Sequence, residues 1–141
     1  MNDTPTQVAP FGASELLWCA EIDSKQYWND VPLPLQAGTR YYLRATGEWL
    51  DWHNPGDANG YDKSSMNWAK GLLRFQAPQA TWFTLIGSID RQRKSLFIIG
   101  DGSRWKEGWV APQSGQLSCY ANDVPGFYWN NKGTVTLEIW R

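Results

Sequence analysis

Short apolar segments rich in β-branched and aromatic residues recur along this sequence between clusters of Gly, Pro, Asn and Asp. No window has the sustained 3.6-residue periodicity of a helix, whereas the last segment alternates, with Val135, Leu137 and Ile139 on one side. Because no helical crossover connects the segments, the pattern predicts an all-β fold, an antiparallel β-sandwich or jelly roll. The predicted strands are 15–22, 40–50, 71–77, 81–89, 95–100, 115–122 and 133–140.

The length of 141 residues predicts one domain that spans 1–141, with residues 1–10 as a loose terminus. Two connections, 51–70 and 101–114, are longer than the others. Loops of more than about 12–15 residues are usually functional or disordered, and the aromatic residues in both connections argue against disorder. We therefore treat them as candidates for a functional surface.

Charge and hydropathy argue against several classes of binding partner for this chain. Its 13 basic and 14 acidic side chains give a formal net charge of −1, which provides no broad field for nucleic acid or an anionic membrane. No segment approaches the ~20 apolar residues that cross a bilayer, so we expect no membrane insertion. The first residues lack a signal peptide. This predicts a protein that is cytoplasmic as synthesised, with any export using a route that needs no such peptide.

Tryptophan and cysteine are the residue types whose counts carry information. Ten Trp in so short a chain indicate aromatic core or the wall of a ligand pocket. Trp52, Trp68 and Trp129 lie beside turn residues and charges, where both interpretations stay open, and the other seven favour core. Cys19 and Cys119 are too few for a disulfide framework and lack zinc-ligand spacing, which favours two buried thiols over a bridge.

The segment 122–131, NDVPGFYWNN, concentrates oxygen ligands around a Pro-Gly turn. Asp123 has a carboxylate, and Asn130 and Asn131 have carboxamide oxygens that the turn brings back towards it. Calcium binds six to eight oxygens of these kinds at about 2.3–2.6 Å. The alternative is a hairpin loop whose Asn and Asp side chains bond to their own backbone. Composition alone favours that alternative.

The segment 109–139 resembles the C-terminal half of the PA-IL type of bacterial lectin, a calcium-dependent, galactose-binding family. The features in common are the Trp-Val-Ala-Pro of 109–112, the Asn-Asp-Val-Pro-Gly turn and the paired Asn. The likeness is specific over these 31 residues and continues more weakly back to about residue 37. It implies a galactose-binding-domain-like β-sandwich that holds Ca²⁺.

The resemblance also implies a ligand set. In the family, the Asp of the turn and both Asn bind calcium through their side chains, and the residue after Pro-Gly binds it through its carbonyl. A further carbonyl comes from the end of an earlier strand, which falls on Asp51 or, with a one-residue slip, on Trp52. The implied ligands are Asp123, Asn130 and Asn131 by side chain, Phe127 by carbonyl, and Asp51 or Trp52.

Sugar recognition follows from the same cluster, because two vicinal hydroxyls can complete the calcium shell. Asp123 and Asn130 would contact both ion and sugar, and the backbone near Val124 would contact the ring. Each hydrogen bond contributes a net ~0.5–1.5 kcal/mol, so useful avidity requires several sites per assembly. Family members form tetramers, and a homo-oligomer, either a dimer or a tetramer, is the expectation here.

The middle of the chain departs from the family. The family's sugar-contacting His-Pro-Asp-Gln falls on 67–70, where neither the His nor the Gln is present. Asn67 and Lys70 could replace those hydrogen bonds, and Trp68 could either stack on a sugar face or fill the pocket. The sequence thus predicts a lectin for galactose or a related saccharide. The alternative is a structural or interaction domain of the same fold that has lost sugar binding.

Other chemistry has weaker signals. Asp57, Asn59 and Asp62 in DANGYD partly match a calcium loop but also match a Gly-rich Asx turn. His53 is the only histidine and no pair of acids lies in a recognisable motif, so we predict that the protein is not an enzyme. A carbohydrate-active enzyme would instead show a cleft with two carboxylates, one of raised pKa.

Overall fold

The computed structural model describes residues 8–62 and 64–141. Within them the chain forms antiparallel strands joined by turns and short 3₁₀ segments. The strands are β1 Leu16–Asp23, β2 Asn29–Leu35, β3 Arg40–Thr46, β4 Trp49–Asp51, β5 Asn54–Gly56, β6 Asn59–Tyr61, β7 Trp82–Ile89, β8 Phe97–Ile98, β9 Trp109–Val110, β10 Gly115–Ala121, β11 Asn131–Lys132 and β12 Thr134–Trp140. The 3₁₀ segments are Ser64–Leu72, Arg93–Ser95, Ser103–Trp105 and Tyr128–Asn130.

Two sheets face each other across the core. One has the strand order β1-β12-β3-β9, and the other has β2-β10-β7-β6, with β8 also paired to β7. A third, smaller sheet of β11, β4 and β5 lies at one end and joins the turn after β10 to the hairpin that follows β4. The arrangement confirms the predicted all-β antiparallel sandwich.

The alternation of β12 sets one side of the core. Val135, Leu137 and Ile139 are all buried, as the sequence predicts. On the opposite side Glu138 is also buried. Its carboxylate accepts hydrogen bonds from Arg44 Nη2 at 2.7 Å and from the indole of Trp140 at 2.8 Å. A buried charge that is paired and hydrogen-bonded in this way is tolerated.

The predicted strand 71–77 is wrong, the predicted strand 40–50 is divided into β3 and β4 of different sheets, and the strand 29–35 was not predicted. Residues 71–77 form no strand; Phe75 bonds instead to the side chain of Asn122, which accepts from its N–H and donates to its carbonyl, both at 3.0 Å. The strand 29–35 was missed because Pro32 and Pro34 argue against a strand. It lies at a sheet edge beside β10, and its register shifts between Val31 and Pro34; edges and bulges are where sheets tolerate proline.

The structure also bears on the expectations about the cysteines, the N-terminal residues and membrane insertion. Cys19 and Cys119 are buried and form no disulfide, which confirms the buried thiols. Residues 1–7 of the predicted loose terminus lie outside the described residues, and the Val8 carbonyl accepts a hydrogen bond from Arg44. In the described part of the chain, no helical segment has the length and hydropathy to cross a bilayer.

Candidate calcium and carbohydrate site

The Pro-Gly turn folds back on itself immediately after β10. The N–H of Phe127 donates to the Val124 carbonyl at 3.1 Å, and Gly126 takes a φ of 89°, a value that suits glycine. A 3₁₀ turn then ends at Asn130, and β11 begins at Asn131. This change of backbone conformation is the kink that two consecutive Asn side chains need in order to approach one point.

Asp123 lies at the floor of this turn with 3% of its surface exposed. Its two carboxylate oxygens accept from the Val124 N–H at 2.7 Å and from Asn131 Nδ2 at 3.1 Å. Burial raises the pKa of Asp123 to about 7, and the nearby Asp51 carboxylate adds to the rise. An adjacent cation stabilises the ionised form of a carboxylate in such a position.

Two carboxamide oxygens in the same turn have no hydrogen-bond donor. Within the described residues, four buried side-chain polar atoms lack a partner: Arg44 Nε, Trp49 Nε1, Asn130 Oδ1 and Asn131 Oδ1. Both acceptors in this set thus belong to the turn. Asn131 Nδ2 donates to the Ser24 carbonyl at 2.9 Å and to Asp123, which fixes the amide with its oxygen unpaired. Native structures rarely leave buried acceptors unsatisfied without a reason such as an ion.

The hairpin between β4 and β5 brings a second group of oxygens to the same place. Asp51 lies opposite Asn131 in the sheet register, and its carboxylate accepts a hydrogen bond from the Tyr61 hydroxyl. Burial, together with this carboxylate, raises the pKa of Tyr61. Trp52 follows with a φ of 58°, rare for a bulky residue, and its N–H donates to the Asn130 carbonyl at 3.2 Å. The two turns are therefore hydrogen-bonded to each other.

A pocket of about 410 Å³ opens above these residues. Its polar lining residues, the oxygen cluster, are Asp51, Asn54, Asp123 and Asn130, which all come from the β4–β5 hairpin and the Pro-Gly turn. Apolar side chains form the rest: Trp52, Met66, Trp68, Ala69, Leu72, Trp82, Val124 and Phe127. A few convergent polar groups in an otherwise apolar pocket of this size are typical of small-molecule sites.

The 3₁₀ segment Ser64–Leu72 contributes a separate, apolar wall to the same pocket. Of the residues predicted there to contact sugar, Trp68 lines the pocket, with 75% of its surface exposed. Asn67 and Lys70 lie outside the lining, and Lys70 Nζ pairs with Asp62 at 3.2 Å. Val124, predicted to contact the sugar ring, is part of the lining.

Sequence reasoning missed the other lining residues of this segment. Met66, Ala69 and Leu72 are spaced by three, the period of a 3₁₀ helix, so one face of the segment is apolar. A small cluster of Ala69, Leu73 and Trp82, with Met66 packed against it, holds that face in place. The period of three was the signal that could have identified them.

Arg74 is a second residue that sequence reasoning missed. It lies outside the pocket lining and contacts the Pro-Gly turn. Its N–H donates to the Asp123 carbonyl at 3.0 Å, and its guanidinium donates to the Tyr128 hydroxyl at 3.0 Å. The guanidinium carbon lies 3.5 Å from the ring centre of Tyr27 and 3.4 Å from that of Tyr120. These contacts fix the turn from the side away from the pocket.

The DANGYD segment forms a turn whose polar side chains already have partners. Asp57 accepts from the Asn59 N–H at 2.8 Å, and Asn59 Oδ1 accepts from the Asp101 N–H at 2.9 Å. Asp62 accepts from Thr81 at 2.9 Å as well as from Lys70. Across residues 8–62 and 64–141, no group of three or more His, Cys, Asp or Glu is placed to hold a metal ion. An ion at the Pro-Gly turn would therefore depend mainly on neutral oxygens.

Comparison with known proteins adds evidence on the fold. No protein-family model matches the sequence, and no curated protein is similar enough to count as a relative. A solved structure described as "EclA N-terminal domain; PllA-like lectin" superposes with a TM-score of 0.68 at 17% identity. The match covers 90% of this chain and 98% of that one. At this identity the likeness shows the lectin-like β-sandwich fold and nothing finer.

Proposed function

We propose that this protein binds carbohydrate through a calcium ion held at the Pro-Gly turn. The observation that carries the proposal is the pair of buried oxygens without donors, Asn130 Oδ1 and Asn131 Oδ1, beside the buried Asp123 carboxylate. A hard cation satisfies such oxygens, since calcium accepts carboxylate, carboxamide and backbone carbonyl ligands together. The lectin fold of the structural neighbour supports the same function.

The proposed ligands are the side chains of Asp123, Asn130 and Asn131, with backbone carbonyls completing the protein's share. One carbonyl belongs to Phe127. For the other, the Asp51 carbonyl already accepts a hydrogen bond from Asn54 Nδ2 at 3.2 Å, which favours the carbonyl of Trp52. Two carboxylates at most lie near the ion, so we expect calcium affinity towards the weaker end of the range for protein sites.

The bound ion would supply open coordination positions for two vicinal hydroxyls of a sugar. Asp123 and Asn130 line the pocket and are proposed ligands of the ion, so their oxygens can orient those hydroxyls by hydrogen bonds. Val124 lines the same pocket, where its backbone would contact the sugar ring. Trp52 and Trp68 offer exposed aromatic faces for the sugar's C–H groups. Galactose or a related saccharide is the proposed ligand.

Titration calorimetry tests this function directly. We expect heat on adding galactose, other hexoses or their glycosides to the calcium-loaded protein, and no heat after EDTA. Trp68 is largely exposed beside the pocket and leaves its volume open, which favours binding over the alternative of a domain that has lost it. Calcium binding without a response to any saccharide would favour that alternative, and no binding of either would overturn the proposal.

Glycoside hydrolysis is a second candidate, because the pocket holds two carboxylates and the pKa of Asp123 is raised to about 7. A general acid in a glycosidase has this property. Both oxygens of Asp123 already accept hydrogen bonds, however, and hydrolysis gives no role to the unpaired Asn oxygens. Release of nitrophenol from nitrophenyl glycosides, lost in Asp123→Asn, would support the enzyme. We expect none.

A further inference from the structure

The pocket concentrates exposed apolar surface at one place on the molecule. Nine large hydrophobic side chains are exposed among the described residues, and four of them, Trp52, Trp68, Leu72 and Phe127, line this pocket. Clustered exposed apolar side chains mark a binding surface, whereas scattered ones need no explanation. Two of the four, Trp68 and Leu72, belong to the apolar wall made by the 3₁₀ segment Ser64–Leu72, which is therefore part of the recognition surface.

That wall offers a ligand few side-chain hydrogen bonds. The lining residues contributed by the 3₁₀ segment Ser64–Leu72 are Met66, Trp68, Ala69 and Leu72. The Trp68 indole donates but cannot accept, and the Met66 thioether is only a weak acceptor. The two polar side chains of the segment that could have reached a sugar, Asn67 and Lys70, lie outside the lining. A hydroxyl that faces Ala69 or Leu72 would lose its water without gaining a side-chain partner.

The wall is also fixed in position, so it cannot readily turn a polar group inwards. Ala69 packs with Leu73 and Trp82 in a small buried cluster, and Met66 packs against it. A rigid apolar surface discriminates between a methyl group and a hydroxyl, because only the hydroxyl pays a desolvation cost there. Differences of this size correspond to roughly 10- to 200-fold in selectivity.

We infer that the preferred saccharide carries a methyl group in addition to its vicinal diol. The methyl would lie on the Met66–Leu72 wall while the diol faces the oxygen cluster. Two kinds of sugar have this chemistry: a 6-deoxyhexose, through its C-methyl, and an N-acetylhexosamine, through its acetamido methyl. The inference rests on the proposed calcium-dependent binding and names the sugar class for the same site.

Matched sugar pairs test the inference by calorimetry in saturating calcium. The pairs are D-fucose against D-galactose, L-fucose against L-galactose, and N-acetyl-D-galactosamine against D-galactose. We expect the methyl-bearing member of at least one pair to bind on the order of tenfold more tightly, and the pair that responds identifies the source of the methyl. Equal or tighter binding of every hydroxylated member overturns the inference alone. Absence of binding by all of these sugars overturns it together with the proposed function.

A substitution in the 3₁₀ segment tests whether the methyl preference comes from this wall. Leu72→Gln adds a donor and an acceptor at a side chain that is 55% exposed, so the fold should tolerate it. We expect the methyl preference to fall several-fold, mainly through tighter binding of the hydroxylated sugar. Val110→Gln is the matched control, because Val110 is 43% exposed and lies outside the pocket. An unchanged preference in Leu72→Gln would overturn the assignment to this wall.

Discussion

Two parts of the pocket lining are built in different ways. The oxygen end comes from a turn bounded by β10 and β11, and hydrogen bonds from Asn131, Trp52 and Arg74 tie it to neighbouring segments. The apolar end is the face of the 3₁₀ segment Ser64–Leu72, which is attached through a small cluster that includes Trp82 of β7. Substitutions at the oxygen end should therefore alter ion binding, while those at the apolar end should alter sugar selectivity and leave the ion in place.

The largest expected effect comes from Asp123→Asn. The change is nearly isosteric and removes a buried charge, so the fold should persist, but the ion loses its buried carboxylate ligand. We expect calcium affinity to fall by on the order of 100-fold, because ligand charge strongly sets the affinity of calcium sites. Calcium titration calorimetry measures the change, and circular dichroism checks the fold. Undiminished calcium binding in this variant would place the ion elsewhere.

Asp57→Asn is the matched control for that variant. Asp57 is exposed, and its carboxylate accepts a hydrogen bond from the nearby Asn59 N–H within the DANGYD turn. Calcium affinity should stay within about twofold of the wild type, since a solvated turn carboxylate contributes little to a distant site. A large loss here would instead reveal a second ion at this turn.

Calcium should also stabilise the fold by mass action. At 100 times its dissociation constant, a ligand that binds only the native state adds about 2.7 kcal/mol. For a domain of this size that corresponds to a rise in Tm of roughly 10 °C, measured by calorimetry and reversed by EDTA. Magnesium should give a much smaller shift, because it requires stricter octahedral geometry. Equal shifts with both ions would indicate loosely held surface cations.

The proximity of the residues at the oxygen end was predictable from the sequence because they lie close together in the chain. Asp123, Asn130 and Asn131 span nine residues around a Pro-Gly corner, so connectivity alone brings them together. The position of Asp51 opposite Asn131 depends on sheet register, which the sequence did not reveal without the family likeness. For this reason the sequence left open whether Asp51 or Trp52 supplies the further carbonyl ligand.

The apolar end was less predictable because its period belongs to an uncommon element. Met66, Ala69 and Leu72 repeat every three residues, between the periods of a strand and an α-helix, so neither pattern identified them. The wrong strand prediction at 71–77 has a different physical cause. Its apolar residues suit a strand, but the side chain of Asn122 satisfies the backbone of Phe75, and side-chain bonds of this kind compete with sheet pairing.

Asn130→Ala separates ligand binding from stability within the oxygen end. The variant removes a buried acceptor that has no donor in the ion-free protein, so we expect the ion-free free energy of unfolding to change by no more than about 0.5 kcal/mol. Calcium affinity should fall on the order of tenfold, because one ligand is lost. Chemical denaturation with EDTA and calcium titration measure the two effects.

Asn122→Ala is the contrasting variant for that test. Asn122 is fully buried, and its side chain bonds to Phe75 twice and to the Thr81 carbonyl at 3.2 Å. Its loss should lower the free energy of unfolding by about 1–3 kcal/mol, because it leaves buried backbone groups unpaired. If Asn130→Ala were equally destabilising without calcium, its side chain would be structural and the ligand assignment would fail.

The smallest expected effect tests the apolar end through two tryptophans of almost equal exposure. Trp68 is 75% exposed and lines the pocket, whereas Trp129 is 72% exposed and lies outside the lining. Aromatic contacts contribute about 0.5–1.5 kcal/mol, so Trp68→Ala should weaken sugar binding roughly two- to tenfold, with calcium affinity unchanged. Trp129→Ala should alter neither. Tighter sugar binding in Trp68→Ala would mean that this side chain obstructs the pocket, which is the outcome expected of a domain that has lost its ligand.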